Sequence, residues 1–172
     1  ISFIGADHLL AFDTGPGNAL IDDLVLARTG KSFDQDGHLA AKGRVDTAIL
    51  AKLLSHDFFD QTPPKSLDRN AFDTSLLEKL SLEDAAATLV AFTTAAIARS
   101  ATYFPEQVNQ WLVTGGGRHN PTIMKDLSER LGTVVQPVES VGWNGDAIEA
   151  QAFAFMAVRS LLKLPLSFPF SS

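Results

Sequence analysis

The sequence contains no cysteine and few positive charges, and both shortages exclude whole classes of function. Without cysteine there are no disulfides, thiolate nucleophiles or thiolate zinc sites, and such a composition is typical of a reducing cytoplasm. Twenty acidic residues outnumber 14 basic ones, which gives a formal net charge of -6. An acidic chain has no general attraction to phosphate backbones, so a nucleic-acid partner is not expected.

Metal-ligand spacing and long apolar runs are missing as well. The four histidines stand far apart, at positions 8, 38, 56 and 119, so no structural metal site is predicted. The most apolar stretches, 85–98 and 152–164, are short or are broken by Thr94, Arg99 and Arg159. A membrane-spanning helix needs about 20 predominantly apolar residues, so no membrane partner is expected.

What remains is the composition of one globular unit. A chain of 172 residues, 45% of them hydrophobic, is long enough to bury a single core. It does not begin with Met, and residues 1–4 already alternate like the middle or end of a strand. With residues 9–12 they form a predicted hairpin whose neighbouring first strand is missing. We therefore expect a fragment, a single unit over 1–172 that is truncated at its N-terminal edge.

The rest of the pattern alternates helices with short strands. Helical spacing of apolar residues predicts helices over 18–28, 37–55, from 81 onward, over 121–131 and over 146–164, and strands over 110–114 and 133–138. Residues 57–72 read as a loop that Phe58, Phe59 and Phe72 should hold in place. The last helix is apolar nearly all round, so we expect it inside the domain. This order indicates an α/β architecture, a mixed sheet with flanking helices.

The first glycine turn follows the hairpin, as Phe12-Asp-Thr-Gly-Pro-Gly-Asn18. Asp13 ends a strand, and Gly15 and Gly17 let a ligand approach the backbone without a Cβ in the way. A carboxylate there can act as a general base or bind hydroxyl groups, but an Asx turn that only caps the loop explains the pattern equally well. Asn18 stands at the start of the next helix, where unpaired amides attract anions.

A second glycine turn, Thr114-Gly-Gly-Gly-Arg-His-Asn-Pro121, links a predicted strand to a predicted helix. Its glycines can donate amides to phosphate or pass under an adenosine, and the Asn-Pro pair suits a helix start. Glycines that only allow tight packing are the competing interpretation. The turn lacks the Lys-Ser/Thr ending of a P-loop, which excludes that mechanism.

Two further segments carry charged groups. Asp146 and Glu149 stand three residues apart, which is the spacing of a capping box, and this is the favoured interpretation for Asp146. Glu149 stays a candidate ligand group. Lys65 and Arg69 lie in the proline-bounded loop and can contact a carboxylate or phosphate, although solvated loop cations are commoner.

Four strings in the chain belong together. They are Phe12-Asp-Thr-Gly-Pro-Gly-Asn18, Pro64-Lys-Ser66 with Arg69 and Phe72, Gly115-Gly-Gly-Arg-His-Asn-Pro121, and Gly145-Asp-Ala-Ile-Glu-Ala150 with Ala152-Phe-Ala154. In order, spacing and flanking apolar helices they closely resemble the anhydro-N-acetylmuramic acid kinase family, over essentially residues 1–170. The resemblance implies an actin/hexokinase-type ATPase with two lobes of ribonuclease-H-like topology, of which this chain is the C-terminal lobe.

The resemblance also implies a reaction and roles for the candidate residues. Family members use ATP and Mg2+ to open the 1,6-anhydro ring of anhydro-N-acetylmuramic acid with water and to phosphorylate O6, which recycles bacterial cell-wall muropeptides. Asp13 would activate the water. Sugar-side contacts would come from Gly15, Gly17, Asn18 and Glu149, and nucleotide contacts from the turn at 115–117 with Asn120. The expected partners are the amino sugar and ATP, in the cytoplasm, and a homodimer is compatible with the resemblance.

The departures from the family pattern lead to further expectations. The N-terminal lobe, with its first phosphate loop and an early acidic residue, is absent, so the isolated chain is expected to be inactive. Two alternatives stay open. Another sugar or acetate-type kinase of the same superfamily would share the glycine turns, and a non-catalytic nucleotide-binding or interaction module would keep the fold without needing Asp13.

Overall fold

The computed structural model describes residues 1–5, 8–68 and 71–166. Its strands are β1 (Ser2–Ile4), β2 (Leu9–Ala11), β3 (Gln110–Val113) and β4 (Val134–Pro137). Its helices are α1 (Ala19–Thr29), α2 (Thr47–Leu54), α3 (Leu82–Ser100), α4 (Pro121–Leu131) and α5 (Ile148–Leu161). Short 3-10 turns connect several of them. The arrangement is mixed α/β, as the sequence predicts.

The strands pair into two small sheets. Strands β1 and β2 are antiparallel, with Phe3 opposite Leu10, which confirms the predicted hairpin. Strands β3 and β4 are parallel, with Trp111 opposite Val135. Within the described ranges the two pairs do not join into the single mixed sheet that the sequence predicts. The ring of Phe104 bridges them, because its centroid lies 5.0 Å from that of Phe3 and 5.6 Å from that of Trp111.

Helix α3 is the centre of the core. It starts where the sequence predicts, at Ser81, whose hydroxyl accepts the Asp84 N–H at 3.0 Å. It contacts α1, α2 and α4, and most of its residues are buried. Contrary to the expectation that this stretch is too short, the segment Leu82–Tyr103 is long and apolar enough to cross a membrane by length and composition. Since 67% of its apolar window is buried inside the fold, burial explains its composition as that of a core helix.

The proline-bounded loop is fixed to α3 by aromatic rings. The centroid of Phe92, on α3, lies 5.8 Å from that of Phe59 and 5.2 Å from that of Phe72, both in edge-to-face geometry. Phe58 adds a third edge-to-face contact, 5.5 Å from Phe59. All four rings are at least 94% buried. The prediction that these phenylalanines hold the loop in place is confirmed.

The prediction of one helix over 37–55 is wrong for the first half of that range. Only Thr47–Leu54 forms an α-helix, preceded by separate 3-10 turns at Gln35–Gly37 and Ala40–Lys42. The interruption comes from Gly43, whose extended backbone lies against the Glu83 carbonyl at the start of α3. The next residue continues this contact, because the Arg44 N–H donates to Asp84 Oδ1 at 2.7 Å. The tertiary contact replaces the helical hydrogen bonds that the apolar spacing suggested.

Two expectations about the last helix are also corrected. None of the residues of α5 is buried, and Phe153, Phe155 and Leu161 are 63%, 58% and 83% exposed, so the helix is not sandwiched inside the domain. The capping box is absent as well. The N-cap position is Ala147, and the Asp146 carboxylate pairs with Arg118.

Candidate functional site

The two glycine turns come together at the start of α1. A Cβ built on Gly116 would lie 3.7 Å from Asn18 Nδ2, and one on Gly117 would lie 3.9 Å from Asn18 Oδ1. The side chain of Asn18 is held by Asp22, since Asn18 Nδ2 donates to Asp22 Oδ2 at 2.6 Å. Both glycines therefore lie within van der Waals reach of Asn18. Two motifs almost 100 residues apart in the sequence form one wall.

A cavity of about 440 Å³ opens beside this wall. It lies between the start of α1, the turn at 33–36 and the second glycine turn. Four of the sequence-predicted site residues line it, namely Asn18, Gly116, Gly117 and Asn120. The other lining residues are Ile21, Asp22, Phe33, Asp34, Gln35, Asp36, His119 and Ile123.

Asn120 fixes the rear wall of the cavity by capping α4. Its Oδ1 accepts the N–H groups of Thr122 at 3.0 Å and Ile123 at 3.2 Å, and Pro121 is the first helical residue. The predicted Asn-Pro helix start is confirmed. Thr122 then donates from its hydroxyl to the Gly37 carbonyl at 3.0 Å, which docks the 33–37 turn against α4.

The opposite wall is a turn that the sequence reasoning missed. Asp34 is only 4% exposed, and its two oxygens accept the N–H groups of Leu39 at 2.9 Å and Ala40 at 3.1 Å. Together with Asp22 and Asp36 it makes the lining acidic. The Asp-x-Asp-Gly pattern at 34–37 is a turn signal that could have located this wall. The apolar spacing after it instead predicts a helix that begins at Gly37.

Asp13 lies two residues beyond β2 and is exposed, outside the lining of the cavity. Its N–H donates to the Lys65 carbonyl at 3.0 Å, and its Oδ2 accepts the Leu67 N–H at 3.2 Å. The partner is 54 residues away along the chain, so the carboxylate does not close a local Asx turn. The proline-bounded loop holds it while it stays open to solvent.

The glycines of the first turn run along α3. The Gly17 carbonyl accepts the hydroxyl of Thr93 at 2.6 Å, and a Cβ on Gly15 would lie 3.4 Å from the Cβ of Ala96. Gly17 has a φ of 61°, and Gly115 of the second turn has a φ of 74°. This positive φ favours glycine at both positions.

Lys65 is not the solvated loop cation that its type suggests. It is 7% exposed, its Nζ donates to the Phe58 carbonyl at 3.2 Å, and it lies 4.7 Å from the Phe58 ring centroid and 4.9 Å from that of Tyr103. Burial lowers the pKa of Lys65 below its ordinary value, and the nearby positive charge of Arg99 lowers it further. Arg69, the other cation predicted there, lies outside the described residues.

Glu149 lies in the first turn of α5, is exposed and does not line the cavity. The structure therefore brings Gly116, Gly117 and Asn120 together with Asn18, whereas the other candidates do not line the cavity, namely Asp13, Gly15, Gly17, Gly115 and Glu149. Within residues 1–5, 8–68 and 71–166, no group of three or more acidic or histidine side chains is placed to hold a metal ion.

Comparison with known proteins places these features in a family. The sequence model of anhydro-N-acetylmuramic acid kinase matches residues 2–172. Anhydro-N-acetylmuramic acid kinase of Paramagnetospirillum magneticum is 57% identical over 173 residues, covering 98% of this chain and 49% of the relative. The proteins of that name from Rhodospirillum rubrum and Zymomonas mobilis are 56% and 50% identical, covering 93% and 98% of this chain and 43% and 47% of their own lengths. The chain spans about half the length of the curated relatives it matches.

Proposed function

Because the chain belongs to the anhydro-N-acetylmuramic acid kinase family, we propose that it is the C-terminal lobe of a two-lobed kinase. The full-length protein uses ATP to phosphorylate O6 of anhydro-N-acetylmuramic acid and adds water across the 1,6-anhydro bond, giving N-acetylmuramic acid 6-phosphate. The observation that carries this proposal is the family match over residues 2–172, which includes all four motifs. A bacterial, ATP-dependent sugar kinase is expected in the cytoplasm, where its nucleotide is made.

The cavity suits the nucleoside end of ATP. Ile21, Ile123 and Phe33 supply apolar surface for a planar base, and the carboxylates of Asp22 and Asp36 can accept hydrogen bonds from ribose hydroxyls. Together with the buried carboxylate of Asp34 they repel a triphosphate. Gly115, Gly116 and Gly117, with Asn120 behind them, would then contact the base and ribose. The phosphates would extend away from the cavity.

The first glycine turn is the proposed path of the phosphates toward the sugar. Gly15 and Gly17 present backbone without side chains, and Asn18 joins this turn to the nucleotide cavity. Gly15, Gly17, Asn18 and Glu149 are the proposed sugar-side contacts. Mg2+ would neutralise phosphate charge when it is bound, and since no protein cage for it is present among the described residues, we expect it to be held largely by the nucleotide.

Asp13 is the proposed general base. Ring opening needs a base beside the anomeric carbon, and an exposed carboxylate held by the Leu67 N–H can take a proton from water as the water oxygen bonds to that carbon. The O6 atom is released from the anhydro bond and receives the phosphoryl group. Phosphoryl transfer itself is mainly a matter of positioning and charge neutralisation.

The two small sheets support a ribonuclease-H-like lobe. Strands β1 and β3 are the ones that Phe104 bridges, and each is paired on one side only among the described residues. We propose that a strand from the rest of the full-length protein pairs between them. The result would be one continuous mixed sheet with α1, α3 and α4 packed on it.

The decisive experiment replaces Asp13 by Asn in the full-length protein. Loss of the base is expected to lower kcat about 100-fold or more while nucleotide affinity stays unchanged. The matched control is Glu129→Gln, an exposed carboxylate on α4 whose pairing with Lys125 is far from the turns. Unchanged turnover in D13N would show that Asp13 is not the base, and a wild-type protein that binds ATP without turnover would favour a non-catalytic module. A wild-type protein that phosphorylates free hexoses or acetate but not the anhydro sugar would favour a different kinase.

A further inference from the structure

Arg118 is a buried charge inside the second glycine turn. Its side chain is 3% exposed, although it follows three glycines in a surface turn after β3. A guanidinium carries five N–H donors and cannot lose its charge, so burying it is costly unless partners surround it. The sequence analysis assigned it no role.

The partners of Arg118 come from three different segments. Its Nη1 donates to the Gly115 carbonyl at 2.9 Å, within its own turn. Its Nε donates to Glu139 Oε1 at 2.9 Å, in the 3-10 turn Val138–Val141 that follows β4. Its Nη2 donates to Asp146 Oδ1 at 2.6 Å, two residues before α5. One side chain thus ties together the turn after β3, the turn after β4 and the entrance to α5.

Gly145 shows how closely these segments are packed. A Cβ on Gly145 would lie 2.5 Å from Arg118 Nε and 2.9 Å from Glu139 Oε1, so a larger residue would displace the guanidinium. The Gly145 N–H donates to Glu139 Oε1 at 3.1 Å, and its carbonyl accepts the Thr114 hydroxyl at 3.3 Å. The glycine of the Gly145-Asp-Ala-Ile-Glu-Ala150 motif therefore leaves the space that the Arg118 guanidinium occupies.

The charges in the cluster reinforce one another. The hydrogen bond from Arg118 lowers the pKa of Asp146, while that of Glu139 is lowered first by its own backbone N–H and then by Gly145 and Arg118. The hydrogen bond from Asp146 in turn raises the pKa of Arg118. Both carboxylates are therefore fully ionised in the fold at and above their ordinary pKa. The stability that their bonds to Arg118 contribute is lost only as the pH falls through the lowered pKa values.

We propose that Arg118 is a positioning residue that fixes the nucleotide turn relative to the entrance of α5. This rests on the proposed function, because it assumes that the turn at 115–117 contacts the nucleotide. Through its bond to the Gly115 carbonyl it holds the turn in the shape that meets Asn18. Through its bond to Asp146 it fixes the start of α5, the helix that carries Glu149. Loss of Arg118 should therefore act mainly on nucleotide binding and to a smaller extent on the sugar side.

The test compares Arg118→Met and Arg118→Lys in the full-length protein. The Met variant removes all three bonds, so we expect nucleotide affinity, measured by calorimetry with ATP and Mg2+, to fall about tenfold or more. The Lys variant keeps a positive charge near the two carboxylates, so it should retain part of the nucleotide affinity that the Met variant loses. We expect KM for ATP to rise and kcat to fall in the Met variant, with KM for the sugar changing less.

The matched control is Arg130→Met. Arg130 also joins two elements through its Nε, which donates to Asp126 at 2.8 Å and to Thr94 at 3.1 Å, but these bonds link α4 to α3 and not to the second glycine turn. It should lower the melting temperature without changing nucleotide affinity. Nucleotide affinity within twofold of wild type in folded R118M would overturn the proposal.

Two further outcomes are covered by the same design. If R118M does not fold, Asp146→Ala removes the acceptor of one of the three bonds at an exposed side chain, and an unchanged nucleotide affinity there would also overturn the proposal. If the wild type binds ATP but transfers no phosphate to the anhydro sugar, the proposed function fails while the affinity comparison still tests Arg118.

Discussion

Lys65 puts a positive charge between two aromatic rings directly beneath the segment that holds Asp13. Its own carbonyl accepts the Asp13 N–H, and the Leu67 N–H two residues on donates to the Asp13 carboxylate. The side chain anchors this segment through the Phe58 carbonyl and the faces of Phe58 and Tyr103. Lys65 therefore acts on the proposed base through the backbone rather than by touching substrate.

Replacing Lys65 by Met tests this link. Methionine keeps an unbranched stem but removes the hydrogen bond and the cation–π contacts, which are worth about 0.5–2 kcal/mol in such settings. We expect kcat of the full-length protein to fall about tenfold, since small misplacements of a catalytic group are costly, and stability to change by about 1 kcal/mol.

The control for Lys65 is Lys52→Met, an exposed lysine on α2. Steady-state kinetics and urea unfolding on both variants separate the two effects. Wild-type kcat in K65M would show that Asp13 is held adequately without this anchor.

Single residues also show what sequence patterns can and cannot predict. Asn120 and Ser81 were predictable as helix caps because capping is local, three residues at most from the group it serves. The burial of Lys65 and Arg118 was not predictable, because it depends on hydrogen-bond acceptors that only the fold brings close: Phe58 for Lys65, seven residues away, and Glu139 and Asp146 for Arg118, 21 and 28 residues away. The same residue types are usually solvated.

At the scale of elements, the packing of α2 onto α3 depends on one glycine. Gly43 brings its backbone against the Glu83 carbonyl, and the following residues bond to α3 through Arg44 N–H to Asp84 and Asp46 N–H to Thr88 Oγ1, at 2.7 and 3.0 Å. The chain then turns into α2, which Asp46 caps by accepting the Ala48 and Ile49 N–H groups.

We expect Gly43→Ala to destabilise the fold by about 1–3 kcal/mol. The φ of this residue, -82°, suits alanine, so the cost comes from a methyl group forced into the backbone at the start of α3 and not from backbone strain. Urea unfolding measures it, with Lys42→Ala, an exposed side chain in the preceding turn, as the control. Equal midpoints for the two variants would mean that this contact is looser than the structure shows.

Elements differ in how far their own sequence determines their bounds and their burial. The bounds of α4 agree with the prediction over 121–131, because its caps and its amphipathic pattern lie within the segment. The predicted burial of α5 did not agree with the structure. Apolar residues all round a helix indicate that it can be buried, but they do not specify the element that covers it. Phe153 and Phe155 of α5 are exposed in this chain. The strands form two separate pairs, and the local sequence pattern does not indicate which strand lies beside the outer edge of each pair.

At the scale of the whole molecule, the proposed base Asp13 lies outside the lining of the proposed nucleotide cavity. The lining of the cavity is acidic and its volume is about 440 Å³, while Asp13, in the first glycine turn, is exposed to solvent. A phosphoryl group moving from one to the other needs a second wall that excludes water and supplies positive charge.

We therefore expect the isolated 172-residue chain to transfer no phosphate from ATP to anhydro-N-acetylmuramic acid, while the full-length protein does. The chain spans about half the length of its relatives, and half of a closing cleft can bind a nucleoside without aligning its triphosphate. Transfer of labelled γ-phosphate measures activity, and calorimetry on the same sample checks that the chain is folded and binds ATP. Turnover by the isolated chain that disappears in its Asp13→Asn variant would show that one lobe suffices, and would place the phosphate path within the residues seen here.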